Sequence, residues 1–259
     1  MNEAKKHIAV LCDYGLDDAI ATLHLFENED LFSRIDMIAV AGNFPSKTSL
    51  RNLRTLVAMS ELQKDKAHIV STIDLPQPTE ELTFVHGNDG MGDLFEPCED
   101  GTPVISLDEW LRDTASVDVL LSLAPLTVTE KILEKVKVGE FVFMAGCVDG
   151  VPNYKGYEFN HGVNPEAFAA CAKHPHKAVT LDIACKALDI SDFPLEGDSP
   201  RTKAMRRYRD FCVANGEVGC YVWDDIAVRY LLSPECFSTA EKTDRWGNAL
   251  HCLIYSEKP

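Results

Sequence analysis

A chain of 259 residues with 25 Lys and Arg against 41 Asp and Glu carries a formal charge of −16. That balance argues against nucleic acid, whose binding needs basic surfaces, but leaves small uncharged ligands open. No stretch is long and apolar enough to span a bilayer and the N-terminus passes straight into a strand, so a cytoplasmic protein is expected, with one domain over residues 1–259 able to bury a large core.

Apolar runs and helical periodicity alternate along the chain. A strand at Ile8–Cys12 is followed by a helix at Asp17–Phe26, a strand at Ile35–Val40, a helix at Lys47–Ser60 and a strand at His68–Ser71. After a Gly- and Pro-rich segment, 74–108, come a strand at Val117–Leu123, a helix at Thr127–Val136 and a strand at Phe141–Met144. A second such segment, 147–164, precedes a helix at Pro165–Lys173, a strand at Ala178–Asp182 and helices at Pro200–Asn215 and Asp224–Leu232. The pattern is that of an α/β fold, an open and mostly parallel sheet with helices on both faces. The two long loops read as lids or binding segments. Nine cysteines, odd in number and without metal-ligand spacing, read as reduced core thiols. The basic run Arg201 to Arg209 reads as a solvated helix face, and His174 and His176 as cationic complements to a helix C-terminus.

The chemistry concentrates where the first strand hands over to the first helix, in Asp13-Tyr14-Gly15-Leu16-Asp17-Asp18. The carboxyl ends of strands are where open α/β sheets bind ligands. One such acid could simply offset the helix dipole, but three within six residues repel one another unless a proton or cation lies between them. Hard oxygen ligands favour Ca²⁺ or Mg²⁺ over Zn²⁺, and strand alternation turns Cys12 away from Asp13. The ligand spacing of an EF-hand is missing, and Gly15 stands where a haloacid dehalogenase phosphatase needs its second Asp.

A second acidic patch, Tyr221-Val222-Trp223-Asp224-Asp225, lies far along the chain. Between the two come Val40-Ala41-Gly42-Asn43, Arg51-Asn52, His86-Gly87-Asn88-Asp89-Gly90-Met91-Gly92, Leu123-Ala124-Pro125-Leu126-Thr127, Met144-Ala145-Gly146, Glu158-Phe159-Asn160 and Asn164-Pro165-Glu166-Ala167. Taken in order, these landmarks resemble the nucleoside hydrolases, calcium-dependent N-ribohydrolases with a Rossmann-like sheet. The resemblance implies hydrolysis of the N-glycosidic bond of ribonucleosides, a homo-oligomer and a Ca²⁺ cofactor. It makes Asp13 a metal ligand and general base, and Asp18, Asp224 and the Leu123 carbonyl the other metal ligands. It makes Asp17, Asn43, Met144, Glu158 and Asn160 sugar-binding residues, with His86 a candidate base contact in a flexible loop.

A tryptophan before the late Asp resembles the purine-preferring branch, so Trp223 is expected to stack on a departing purine; the other reading is a core aromatic at a helix start. His161 follows Asn160 and could face the pocket. The chain departs from the family pattern at Leu11, where the first signature Asp is expected, at Val128, at Asn164 and at Ala184-Cys185. Leu11 opens the alternative of a nucleoside- or ribose-binding protein without turnover, and a metal-dependent phosphatase is the remaining enzymatic alternative.

Overall fold

Strand β1 (Lys6–Cys12) has β2 (Phe32–Ala39) on one side and β5 (Ser116–Ser122) on the other, both parallel to it. The computed structural model describes residues 4–60, 62–63, 66–99, 101–182, 190, 195–216 and 219–256. Among the described residues nine strands form one sheet, which continues through β3 (Ala67–Ser71) and β4 (Val104–Ser106) beyond β2. Beyond β5 it continues through β6 (Lys137–Met144), β7 (Lys177–Val179), β9 (Ala249–Tyr255) and β8 (Phe237–Thr243). All pairings are parallel except that of β8 with β9. Sequence order reverses at β1, with β2 on one flank and β5 on the other, which is where a doubly wound sheet opens a crevice at its carboxyl edge.

The central strands are buried on both faces, so alternation along β1 divides the core in two. Ile8, Val10 and Cys12 face one layer, built from α1 (Leu16–Glu27), α2 (Ser46–Met59), α8 (Pro200–Ala214) and α9 (Trp223–Leu232). Ala9 and Leu11 face the other, built from α4 (Leu107–Asp113), α5 (Thr127–Leu133) and α7 (Pro165–Cys171). Two short helices, α3 (Thr83–His86) and α6 (Phe159–Val163), lie inside the segments expected to be loops.

Several expected boundaries move. The strand expected to reach Asp182 stops at Val179, and the Asp182 carboxylate accepts the Val148, Asp149 and Gly150 amides, bracing the segment after β6. The β4–α4 unit and the β8–β9 hairpin are missed: β4 has three residues, and β8 is an exposed edge whose polar and charged side chains break the apolar pattern. His176 is buried against Phe143 and accepts the His251 amide, and α7 ends at Cys171, so this histidine packs the core instead of complementing a helix end. Ala184-Cys185 lies outside the described residues.

One buried charge ties the sheet to the layer that contains α4. Asp36, in the middle of β2, accepts from Trp110 Nε1 of α4 at 2.7 Å, from His7 Nε2 of β1 at 2.7 Å and from Arg34 Nε at 2.6 Å. Burial opposes its ionisation, but these three donors hold its pKa below the usual carboxylate range. Removing the charge leaves the donors underpaired, and Asp36→Asn is expected to lower the unfolding free energy by about 3 kcal/mol. A depressed folded pKa contributes stability above the unfolded value and loses it as pH falls through the folded value. Urea denaturation of both proteins should therefore show the gap at neutral pH and its closure in acid.

Candidate active site

The turn after β1 is built to hold carboxylates in place. Tyr14 adopts a left-handed backbone, with φ of 47°, and its carbonyl accepts from Asn52 Nδ2, while the Asp13 carbonyl accepts from Ser49 Oγ. Gly15 has no room for a side chain, since a Cβ there would stand 2.8 Å from Asn43 Nδ2 and 2.9 Å from His86 Cε1. A Cβ at Gly42 would likewise overlap the Asp13 carboxylate. The Asn43 backbone N–H therefore reaches that carboxylate directly, and Asn43 Nδ2 approaches its other oxygen at 3.3 Å.

Asp17, Asp18 and Asp224 each place a carboxylate oxygen within 4.8 Å of the other two. Asp18 also caps its own helix by accepting the Gly15 amide at 2.9 Å. One buried oxygen of Asp17 and one of Asp18 have no hydrogen-bond donor. Burial and the charges of Asp13 and Asp224 raise the pKa of Asp18; burial and the charges of Asp17, Asp13 and Glu158 raise that of Asp224. Burial pushes Asp13 up to about 7 against the Asn43 amide and an interaction with Asp18 that pull it down. Unpartnered buried oxygens among mutually repelling acids fit a hard divalent cation. The set differs from the expectation in one respect, because Asp17 joins Asp18 and Asp224 while Asp13 turns its oxygens to Asn43.

Opposite the acids, the ends of β5 and β6 supply the rest of a cavity of about 140 Å³. The Leu123 amide donates to the Leu11 carbonyl, extending the β1–β5 pairing, and the Leu123 and Met144 carbonyls accept from Asn160 Nδ2 at 3.3 and 2.9 Å. Glu158 is the N-cap of α6 and accepts the amides of Asn160, His161 and Gly146. Burial nevertheless pushes its pKa up to about 7.

His86 is buried and not a solvated loop residue. Its Nδ1 accepts the Leu16 amide at 3.1 Å, and burial lowers its pKa, so the neutral ring carries its proton on Nε2. The glycine-rich loop behind it is anchored: Asn52 and Arg51 donate to the Asp89 carbonyl and Arg207 donates to that of Gly92.

Ten of the eleven expected residues line this one cavity: Asp17, Asp18, Asn43, His86, Leu123, Met144, Glu158, Asn160, Trp223 and Asp224. Asp13 sits directly behind it, held by Asn43. Trp223 opens α9, is half-buried and donates from Nε1 to the Leu181 carbonyl at 3.0 Å. His161 lies elsewhere, stacked on Phe168 at 3.8 Å with its edge toward Trp246.

Two features escaped the sequence reading. Tyr208 of α8 lines the cavity and is close enough to Asp17 and Asp224 that burial and those charges raise its pKa. Asp225, fully buried beside Asp224, accepts from His24 of α1 at 2.7 Å, from Arg201 of α8 and from Arg229 of α9. Burial opposes its charge, but these partners lower its pKa and lock α9 to the helix that carries Asp17 and Asp18. The basic face of α8 is accordingly not all solvated, since Arg201 and Arg207 both point into structure. A helical period with Tyr208 inside the run was the signal available for it.

The comparisons agree with this geometry. The family model described as inosine-uridine preferring nucleoside hydrolase matches residues 8–248. The chain belongs to that family. It is an enzyme of the nucleoside hydrolase class, which acts on N-glycosyl bonds. A pyrimidine-specific ribonucleoside hydrolase, RihA, from Salmonella agona is 28% identical, over 91% of this chain and 82% of its own. Among solved structures, the purine-preferring ribonucleoside hydrolase from Gardnerella vaginalis superposes with a TM-score of 0.71 at 18% identity, covering 96% of this chain and 88% of its own. The inosine-uridine preferring nucleoside hydrolase from Bacillus anthracis gives 0.65 at 16%, covering 97% and 95%. Among the described residues no helix is long and apolar enough to cross a membrane.

The electrostatics of the acidic cluster make a testable trade between stability and function. Asp18→Asn removes one repelling charge but keeps an oxygen for the Gly15 amide. The metal-free variant is expected to melt about 3 °C higher than the metal-free parent, equivalent to about 1 kcal/mol. Added divalent cation should raise the melting temperature of the parent and not that of the variant, as read by differential scanning calorimetry after chelator treatment.

Proposed function

We propose that this nucleoside hydrolase is a calcium-dependent, purine-leaning ribonucleoside N-ribohydrolase that releases free base and ribose. The observation that carries the reading is the buried acidic cluster, with donor-free oxygens on Asp17 and Asp18, opening onto a small cavity walled by Glu158, Asn160 and Met144. A ribose offers adjacent hydroxyls suited to such acceptors. Asp18, Asp224 and the Leu123 carbonyl, flanked by Asp13 and Asp17, would hold Ca²⁺, which when bound lowers the pKa of a coordinated water.

The chain's own groups divide the remaining work. Asp13, with a pKa pushed up to about 7, is matched to take the proton of the attacking water at neutral pH. Asp17 and Asn43 grip the sugar from the β1 side, Glu158, Asn160 and Met144 from the β6 side. The negative charge of Asp17 and Glu158 favours a sugar that becomes cationic as the glycosidic bond breaks. His86 is left with Nε2–H as a donor toward the substrate. Trp223 supplies the aromatic face on which a purine can stack as it leaves, and this supports the purine preference.

Asp13→Asn is expected to cut kcat about a thousandfold for ribonucleosides while the far-ultraviolet circular dichroism stays that of the parent. Activity near the parent level would remove Asp13 from the role of base. A panel of ribonucleosides, with reducing sugar as readout, should give purines the higher kcat/KM, with activity lost on chelation and restored better by Ca²⁺ than by Zn²⁺. Trp223→Ala should lower kcat for inosine more than for a riboside with an activated aryl leaving group, because help to a poor leaving group is realised in the transition state. Equal losses would make Trp223 a packing residue, and a preference for uridine and cytidine would overturn the purine assignment.

A further inference from the structure

Outside the cavity that fits the sugar lies a second, larger one. The two share the lining residues Leu82, Val85, Phe159, Tyr208 and Trp223, so they adjoin each other. The inner part measures about 140 Å³ and carries all the acids; the outer part measures about 630 Å³ and has no charged side chain among its described lining residues. That outer volume falls in the range that ordinarily houses a whole drug-sized ligand, well beyond the need of an unsubstituted base.

Its walls are aromatic and held in place. Tyr154 is fixed through its hydroxyl, which donates to Glu80 at 2.5 Å, and Phe159 packs edge-on against it at 5.1 Å. Tyr221 leans on Trp223 at 5.8 Å, and Phe211 of α8 closes the far side. At the rim, Phe84 is 72% exposed and Val151 is 87% exposed, together with Val213 the highest values among the large apolar side chains of the described residues. A preformed apolar wall that ends in exposed apolar rim residues is unsatisfied in water and marks a binding surface.

We infer that the aglycone side of this site is built for ribosides whose base carries an extended uncharged apolar substituent, such as an aryl or branched alkyl group. The inference rests on the ribohydrolase reading but not on the choice between purines and pyrimidines. Adjacency to the sugar cavity points to the occupant: Trp223 and Tyr208 line both cavities, so a base held over them brings its substituent to the outer one. Among the described lining residues no cationic side chain is present to pair with a phosphorylated extension, which disfavours such groups.

The test compares kcat/KM for two matched pairs, inosine with 6-benzylthioinosine and uridine with 5-benzyluridine, in the parent and in a Phe84→Asp, Val151→Asp double variant. Both replaced residues are exposed at the rim, so the fold is expected to be kept. Benzylated substrates should be favoured in the parent, and the ratio of benzylated to plain kcat/KM should fall about tenfold in the variant, the scale of one apolar group in a hydrophobic pocket. The plain substrates should stay within about twofold of the parent, because they do not reach the rim. Because intrinsic reactivity cancels between parent and variant, an unchanged ratio overturns the inference even if benzylated substrates are faster. Cleavage of plain substrates with rejection of the benzylated ones overturns it alone, whereas failure of all four substrates overturns the ribohydrolase reading beneath it. If the rim instead meets a second copy of the chain, the variant will dissociate in analytical ultracentrifugation with the ratio unmoved, and the inference falls.

Discussion

Like charges buried at one sheet edge are the constraint around which the rest is arranged. Asp13, Asp18, Asp224 and Glu158 are nearly inaccessible to water, and Asp17 lies against them. Two unit charges less than 5 Å apart repel by about 3–4 kcal/mol at an effective dielectric constant near 20. Three mutual repulsions of that size would consume a large part of a domain's net stability of about 5–15 kcal/mol. The chain relieves what it can with donors: the Asn43 amide for Asp13, three amides for Glu158 and the Gly15 amide for Asp18. It leaves donor-free oxygens on Asp17 and Asp18, so protons or a cation must supply the remainder.

The same constraint explains the charges behind the site. Asp225 adds a further buried acid beside Asp224, which would worsen the repulsion, but His24, Arg201 and Arg229 surround it. The net effect is a set of hydrogen-bonding partners from α1, α8 and α9 gathered on Asp225 at the back of the cluster. It fixes the distance between the helix that carries Asp17 and Asp18 and the helix that carries Asp224. Leu11 belongs to the same logic. Its side chain packs in the opposite layer among Ile38, Leu120 and Leu126, away from the acidic cluster. Asn164, another departure from the family pattern, both caps α7 through Oδ1 and donates to Thr127 Oγ1, a pairing for which an ionised Asp has no hydrogen.

How much could be read in advance follows from where each residue's constraint lies. The central strands are buried on both faces and are nearly continuous apolar runs, so β1, β2, β5 and β6 were legible from hydrophobicity alone. The acids at their ends were legible because strand-to-helix junctions place side chains at the carboxyl edge. By contrast β8 presents its side chains to water and owes its existence to pairing with β9, which no local pattern encodes. His86 looked like a loop residue because its burial is imposed by Leu16, seventy positions away, and by a glycine-rich loop anchored to α2 and α8. Tyr208 was hidden inside a basic run, where charge outweighed the single aromatic, and only the packing of α8 against α1 brings it to the acids.

The site also separates into parts with different mechanical support. The inner groups are gathered from several elements: Asp13 and Leu123 directly follow β1 and β5, Met144 ends β6, Asp17 and Asp18 lie in the first turn of α1, Glu158 caps α6 and Asp224 lies in the first turn of α9. The outer cavity is furnished by α3, α8, the start of α9 and the segment around Val151 to Tyr154, which lean on the sheet without belonging to it. Trp223 directly precedes Asp224, so the start of α9 serves both parts, whereas Phe84, Val151 and Phe211 have no carboxylate of the cluster beside them in sequence. That division fits relatives whose names differ in the base, pyrimidine-specific in one case and purine-preferring in another, on one fold. The carboxylates are held by donors of their own, the amides on Asp13, Asp18 and Glu158 and the clamp at Asp225 that joins α1 to α9.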